Sequence, residues 1–293
     1  MKDLGAAKKI LGMEIRRKRS SRKLWLSRKG YIKKVLERFD MANAKPVSIL
    51  LANHFNLYQS PKCEVKIRGM EQVPYASAVG CLMYAMVCTR PDLAQAVIQI
   101  SKYMANLGRE HWNAVKLVLR YLKGTTEYGL MFRGQKCGSV VAYVDSDYAE
   151  DLDNRRSTTG YVFTLAGGPI CWRSVLQYVV ALSTMEAEYM ALGDAAKEAL
   201  WVQGLVTELG VEQGGVQLHC DSQDAIFLAK NQVYHSRTKH IHMRFHKIRE
   251  LVASGEIILE KVHTSENAAD MLTKVVTAEK FKHCLELLHV FQC

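Results

Sequence analysis

Four acidic residues stand where side chains from different elements can converge. Asp145 ends the β-branched run that begins at Val140, and Asp221 follows the run Val216 to Cys220. Glu186 lies in the first turn of a long helical pattern opening at Ser183, and Asp270 lies in the first turn of the last one. Carboxylates that converge from strand ends and helix starts can hold two divalent cations about 4 Å apart, one activating water and one stabilising a leaving oxygen. That is the chemistry of phosphodiester hydrolysis. With no nearby Cys or His pairing, an oxygen donor set favours Mg²⁺ or Mn²⁺ over zinc. Each acid singly also has a structural use. Ser183-Thr184-Met185-Glu186 fits a capping box, Asp270 suits a helix start, Asp145 with Asp147 suits a turn, and Asp221 suits an N-cap. The case for chemistry rests on all four in one order.

The elements that must position these acids are legible as two grammars. Up to about residue 132 the pattern is basic and mostly helical. Strand, turn and strand through Arg16-Arg17-Lys18-Arg19, Arg22-Lys23 and Trp25-Leu26 lead into a helix in which Tyr31, Val35, Leu36 and Phe39 share a face. Residues 45–73 have weak periodicity and read as loop, marked by Pro46, Pro61 and Gly69. Two buried helices span Tyr75 to Met104, broken at Arg90-Pro91 because proline fixes φ and disfavours a helical residue before it. A third runs from Arg109 to Lys123, with His111 beside Trp112 as a packing residue. Beyond residue 133 the grammar becomes β-β-β-α-β-α-α-β-α. The strands are Val140 to Tyr143, Tyr161 to Leu165, Ile170 to Trp172, Val216 to Cys220 and Glu256 to His263. The helices are Ser183 to Leu209, Ser222 to Lys230, Lys239 to Ala253 and Ala268 to Leu288. Gly167-Gly168-Pro169 reads as a turn between the second and third strands.

Charge divides the chain at the same place. Residues 1–132 carry 24 Lys and Arg against 9 Asp and Glu, a net +15, and residues 133–293 carry 16 against 20, a net −4. A basic excess confined to one half suits a surface that follows phosphates. The 293 residues suit two domains, 1–132 and 133–293. The eight cysteines form no C-x-x-C pair and read as reduced thiols. Met1 to Gly5 leads into a charged stretch, and no apolar run reaches membrane-spanning length. The expectation is an intracellular chain with no membrane partner.

The ordered motifs resemble the RNase H domain of copia-type retrotransposon Pol polyproteins. They are Tyr143-Val144-Asp145-Ser146-Asp147-Tyr148-Ala149, Arg155-Arg156-Ser157-Thr158-Thr159-Gly160-Tyr161 and Leu182-Ser183-Thr184-Met185-Glu186-Ala187-Glu188-Tyr189. They continue with His219-Cys220-Asp221-Ser222-Gln223, His235-Ser236-Arg237-Thr238-Lys239-His240-Ile241 and Asn267-Ala268-Ala269-Asp270-Met271-Leu272-Thr273-Lys274. Upstream, Tyr75 to Tyr84, Cys88-Thr89-Arg90-Pro91-Asp92 and Arg120-Tyr121-Leu122-Lys123-Gly124-Thr125 resemble the end of that family's reverse transcriptase.

The resemblance implies an RNase H-like α/β fold, a mixed five-stranded sheet with flanking helices in which the Asp145 strand is central and beside the one ending at Asp221. A mostly helical thumb or connection fragment of reverse transcriptase precedes it. It implies metal-dependent cleavage of the RNA strand of RNA–DNA hybrids with two Mg²⁺ ions, or Mn²⁺, on Asp145, Glu186, Asp221 and Asp270. Glu186 is taken before Glu188 because the Ser-Thr-x-Glu-Ala-Glu-Tyr pattern places the ligand at its first Glu. Only one of the two can face the metals, since residues two apart on a helix point roughly 200° apart. Ser222 and Gln223 match positions that contact the hybrid's minor groove, where 2′-hydroxyls mark RNA. Partners implied are the hybrid and an upstream polymerase palm and fingers, whose place before Met1 leads to an expectation of no DNA synthesis by this chain. The expected setting is a cytoplasmic virus-like particle and the nucleus. His242 and Ala268 depart from the family's usual Asp and Pro without removing a metal oxygen, and His263 reads as structural. A noncatalytic nucleic-acid-binding remnant is the rival reading. An integrase-type nuclease is disfavoured because Glu186 precedes Asp221.

Overall fold

A computed structural model describes residues 5–50, 57, 70–134, 138–231 and 242–292, with side chains left undescribed at 242–246. The motif His235 to Ile241, the loop landmarks Pro61 and Gly69, and Cys63, Cys137 and Cys293 lie outside the described residues. The chain divides into two units, one comprising residues 1–134, 277–279 and 289–293, the other 135–276 and 280–288.

The first unit joins helices to an antiparallel sheet. Its strands β1 (Lys9–Ile10), β2 (Met13–Lys18), β3 (Lys23–Ser27), β4 (Tyr128–Arg133) and β10 (Val290–Gln292) lie in that spatial order. The basic hairpin expected at the start is β2–β3, paired from Glu14↔Ser27 to Lys18↔Lys23, and Arg16 to Arg19 are exposed on it. Sequence periodicity did not reveal β4 or β10, and the latter returns the last residues to this unit although they were expected in the other. The three residues of β10 carry too few alternations to read. Helices α1 (Lys29–Arg38), α2 (Tyr75–Thr89), α3 (Ala94–Ser101) and α4 (Arg109–Gly124) pack on one another. The break at Arg90-Pro91 falls as expected. Arg90 is fully buried there, donating to both Asp92 oxygens at 2.7–3.2 Å and to the Thr125 carbonyl at 3.0 Å. Tyr121 adds its hydroxyl to Asp92 at 2.8 Å. His111 is buried, stacks on Tyr103 at 4.1 Å and accepts from the Gly108 amide, a packing role as expected.

The second unit is the mixed five-stranded sheet that the resemblance implied, with spatial order β7-β6-β5-β8-β9. Strands β5 (Val141–Ser146), β6 (Thr158–Leu165) and β7 (Gly168–Leu176) form an antiparallel meander, and β8 (Val216–Cys220) and β9 (Ile257–Lys261) add parallel to it. The β6–β7 turn is made by Ala166 and Gly167, both at positive φ (53° and 78°), so Gly168 and Pro169 enter β7 where a turn was expected. Two residues at positive φ match the right-handed twist of a hairpin, and Pro169 is tolerated because β7 is an edge strand. The long helix α5 (Thr184–Glu208) packs with α6 (Gln223–Lys230) and α7 (His242–Ala253). Their core gathers Ala142, Val144, Tyr161, Phe163, Leu192 and Leu218. The last helical stretch is not continuous. It breaks into α8 (Asp270–Thr273) and α9 (Ala278–Leu287), because Lys274 takes an extended conformation. Among the described cysteines, Cys81, Cys88, Cys171, Cys220 and Cys284 are free thiols. No described helix is long and apolar enough to cross a membrane.

Candidate metal centre

Register does most of the work of assembly. In the parallel pair β5–β8, Val144 lies opposite Cys220, so the next residue on each strand, Asp145 and Asp221, comes side by side. In the antiparallel pair β5–β6, Asp145 lies opposite Gly160. A Cβ at Gly160 would meet Thr273 Cγ2 at 2.6 Å and the Leu272 Cβ at 2.9 Å, so glycine is what lets α8 lie against the sheet beside Asp145. Side chains alternate along β5, so α8 covers the Asp145 face while α5 covers the Ala142 and Val144 face. Asn267 pins the entry to α8 by donating to the Val144 carbonyl at 3.0 Å. Gln177 ties the remaining pieces, donating to Ser146 Oγ (3.2 Å), Thr159 Oγ1 (3.1 Å) and the Ala187 carbonyl (3.0 Å).

Two overlapping groups of possible metal donors result, each with atoms within 4.8 Å of one another: Asp145, Asp221 and Asp270, and Glu188, Cys220 and Asp221. Asp145 and Asp270 are 0% and 2% exposed. Burial pushes the Asp145 carboxyl up to about 7, Lys274 opposing and Asp270 and Asp221 adding to the rise. Burial, then Asp145 and Asp221, pushes Glu188 up to about 9, with the Ser146 amide and Lys274 opposing. Glu188 Oε2 is buried without a hydrogen-bond partner. The Cys220 thiol is pushed up by burial and by Glu188, which keeps it protonated, and its sulfur accepts from the Ser222 amide at 3.3 Å. The effective donors are therefore carboxylate oxygens. Acids crowded this closely, one with an orphaned buried oxygen, fit a hard divalent cation.

Three of the four acids expected to converge do so, and the fourth is exchanged. Glu186 is the capping residue: its Oε2 accepts from the Leu182 amide at 2.8 Å, while its own amide donates to Ser183 Oγ at 3.2 Å. Glu188, one turn into α5, takes the place expected for Glu186. The two-residue offset on the helix sends one carboxylate to the cluster and the other back to the N-terminus. Ser222 is the N-cap of α6, accepting from the Ala225 amide at 3.3 Å, and Gln223 is exposed two residues past Asp221. His263 caps a short turn through Ser265, away from a ligand role. Two further residues at the site, Thr273 and Lys274, are not among those expected from the sequence. The Thr273 hydroxyl donates to Asp145 Oδ2, and the Lys274 ammonium lies 3.2 Å from Asp270 and 3.3 Å from Asp145. Their spacing from Asp270, three and four residues on, was the available signal, since such positions share a helix face.

No protein-family model matches the chain. It is 54% identical over 290 residues to the retrovirus-related Pol polyprotein from transposon TNT 1-94 of Nicotiana tabacum, covering 98% of this chain and 22% of that protein. It is 38% identical over 277 residues to the Pol polyprotein from transposon RE2 of Arabidopsis thaliana, covering 94% of this chain and 18% of that one. The solved RNase H1 of the halophilic archaeon Halobacterium salinarum NRC-1 is 22% identical with a TM-score of 0.33, over 46% of this chain and 95% of that one. The chain thus spans about a fifth of the length of the Pol polyproteins it matches. Given that level of identity along almost its whole length, the chain belongs to the copia-type retrotransposon Pol polyproteins.

Proposed function

We propose that the second unit is an RNase H-type endonuclease that hydrolyses the RNA strand of RNA–DNA hybrids at a two-cation centre of Asp145, Asp221, Asp270 and Glu188. One observation carries this reading: four carboxylates from two strand ends and two helices meet in a mostly buried cluster that no set of caps explains. Divalent cations, Mg²⁺ or Mn²⁺, would supply the Lewis acidity that activates water and stabilises the leaving oxygen. Asp221 belongs to both sides of the cluster, Glu188 completes one side, and Asp145 with Asp270 makes the other. Thr273 holds Asp145 in its rotamer by donating to Oδ2. Water attacks the phosphorus, the 3′ oxygen of the RNA leaves, and no bond to the protein forms. Gln223, exposed beside Asp221, reaches the minor groove and its 2′-hydroxyls, and Ser222 has a hydroxyl proton still to donate there. The basic β2–β3 hairpin of the first unit supplies phosphate contacts, and an upstream palm and fingers is the partner within a longer Pol chain.

The test is cleavage of a labelled RNA–DNA hybrid by the purified chain with Mg²⁺. The RNA strand alone should be cut, and Asp145→Asn or Asp221→Asn should slow cutting by orders of magnitude while hybrid binding persists. A folded parent that binds hybrid yet leaves it intact with Mg²⁺ and with Mn²⁺ turns the assignment into a noncatalytic nucleic-acid-binding remnant.

A further inference from the structure

Lys274 stands where a cation would bind. Its ammonium nitrogen lies 3.3 Å from Asp145 Oδ2, 3.4 Å from Asp145 Oδ1 and 3.2 Å from Asp270 Oδ1. The placement follows from the local fold. Asp270 and Lys274 are four residues apart across α8, and Gly160 and Asn267 hold that helix against the sheet.

A second lysine at the cluster gives the contrast. Lys280 pairs with the other Asp270 oxygen at 3.3 Å, but it is also anchored by the Thr264 and Ser265 carbonyls at 2.5 and 2.6 Å. Lys274 has no such anchor, since its hydrogen bonds and ion pairs all go to Asp145 and Asp270. Its side chain is 30% exposed, against 1% and 3% for the acids it pairs with, so its stem has a path to solvent that they lack. A divalent cation on this side of the cluster needs the same oxygens. An ammonium and a divalent cation cannot both occupy them, because like charges a few ångströms apart repel strongly away from bulk water.

We infer that Lys274 is a built-in occupant of the Asp145–Asp270 side of the centre and exchanges with a divalent cation, its ammonium leaving toward solvent as the cation enters. The inference rests on the cluster being a cation centre. The exchange makes the two sides unequal. A cation reaches the Glu188–Asp221 side without displacing a lysine, whereas on the Asp145–Asp270 side it must compete with one. In return, the acids keep a counter-charge when no cation is present.

The experiment reads lysine reactivity and cation affinity, not cleavage. The parent chain is acylated briefly with and without Mn²⁺, and modification at Lys274 and Lys280 is read by mass spectrometry. Lys274 should react several-fold faster with Mn²⁺ present, and Lys280, anchored by carbonyls, should change little. In parallel, Mn²⁺ binding is followed by electron paramagnetic resonance. Lys274→Met should bind its weaker Mn²⁺ equivalent on the order of 10- to 1000-fold more tightly, the range by which one adjacent charge shifts a carboxylate equilibrium. Lys274→Arg, which keeps the charge, should bind like the parent. Mn²⁺ binding to the parent with unchanged Lys274 reactivity overturns the exchange and leaves the cation centre standing. No Mn²⁺ binding to the folded parent removes the centre and the exchange together. The footprint uses the parent, so it decides the matter even if Lys274→Met fails to fold.

Discussion

Replacing Glu188 by Gln separates a ligand from a cap, because the two roles predict opposite effects on stability. Without cations, Glu188 is raised from 4.5 to about 9 by burial first and then by Asp145 and Asp221. At pH 7 the folded chain therefore holds a proton on Glu188 that the unfolded chain releases. The interval from 4.5 to pH 7, at about 1.4 kcal/mol per pH unit, sets an upper limit of about 3 kcal/mol of lost folding stability. The sign follows from a raised folded value: the loss is absent below about pH 4.5, grows as pH rises, and is complete near pH 9. Gln has no proton to hold and escapes it. In urea unfolding with a chelator present, Glu188→Gln should match the parent near pH 4.5 and exceed it by up to about 3 kcal/mol at pH 7. Adding Mg²⁺ should reverse that order, since cations stabilise the folded parent by binding it. Hybrid cleavage by Glu188→Gln should fall by orders of magnitude. Glu186→Gln keeps an acceptor for the Leu182 amide, so it should lose less than about 1 kcal/mol and go on cleaving. A less stable Glu188→Gln at pH 7 without cations, or a dead Glu186→Gln beside an active Glu188→Gln, refutes the reasoning.

Gly160→Ala puts a methyl into Thr273 and Leu272, and the displaced α8 should cost about 1–3 kcal/mol and weaken Mn²⁺ binding. Unchanged Mn²⁺ affinity would show that α8 does not depend on that close approach. Arg90→Met leaves Asp92 charged and buried, so denaturant curves should show about 3–5 kcal/mol lost from the first unit, while probes in the second unit move little. Replacing Arg17, Lys18 and Arg19 together by Gln should lower the salt dependence of hybrid binding by roughly one unit of log–log slope for each phosphate that the hairpin no longer neutralises. An unaltered slope removes the hairpin from the interface.

The second unit was legible because each of its strands carries several alternations and its helices open on recognisable caps. The expected strand Val216 to Cys220 and the expected N-cap Ser183 match the structure to the residue. Asp145, Asp221 and Asp270 were legible as a group because strand ends and helix starts are where side chains converge. Glu188 was not chosen. The motif offers two acids two residues apart, and deciding between them requires knowing which face of α5 meets the strand ends, a tertiary fact. The same limit hid Gly160 and Thr273, whose importance appears only when α8 is seen against β6. It also hid β4 and β10, since β4 is held by pairing with β3 over Gly129 to Arg133 and β10 by pairing with β4 over Tyr128 to Leu130. The continuous final helix failed for a local reason: Lys274 is extended, and it ends α8 with its ammonium on the acids.

The central claim is that Asp145, Asp221, Asp270 and Glu188 are one cation centre. The most direct measurement is anomalous X-ray scattering from crystals of the chain soaked in Mn²⁺. Mn²⁺ peaks should be bounded by those four carboxylates, about 4 Å apart where both sides are filled, with Glu186 still on the Leu182 amide. Mn²⁺ held by Glu186, or a fully soaked crystal with no peak within bonding distance of Asp145 and Asp221, contradicts it.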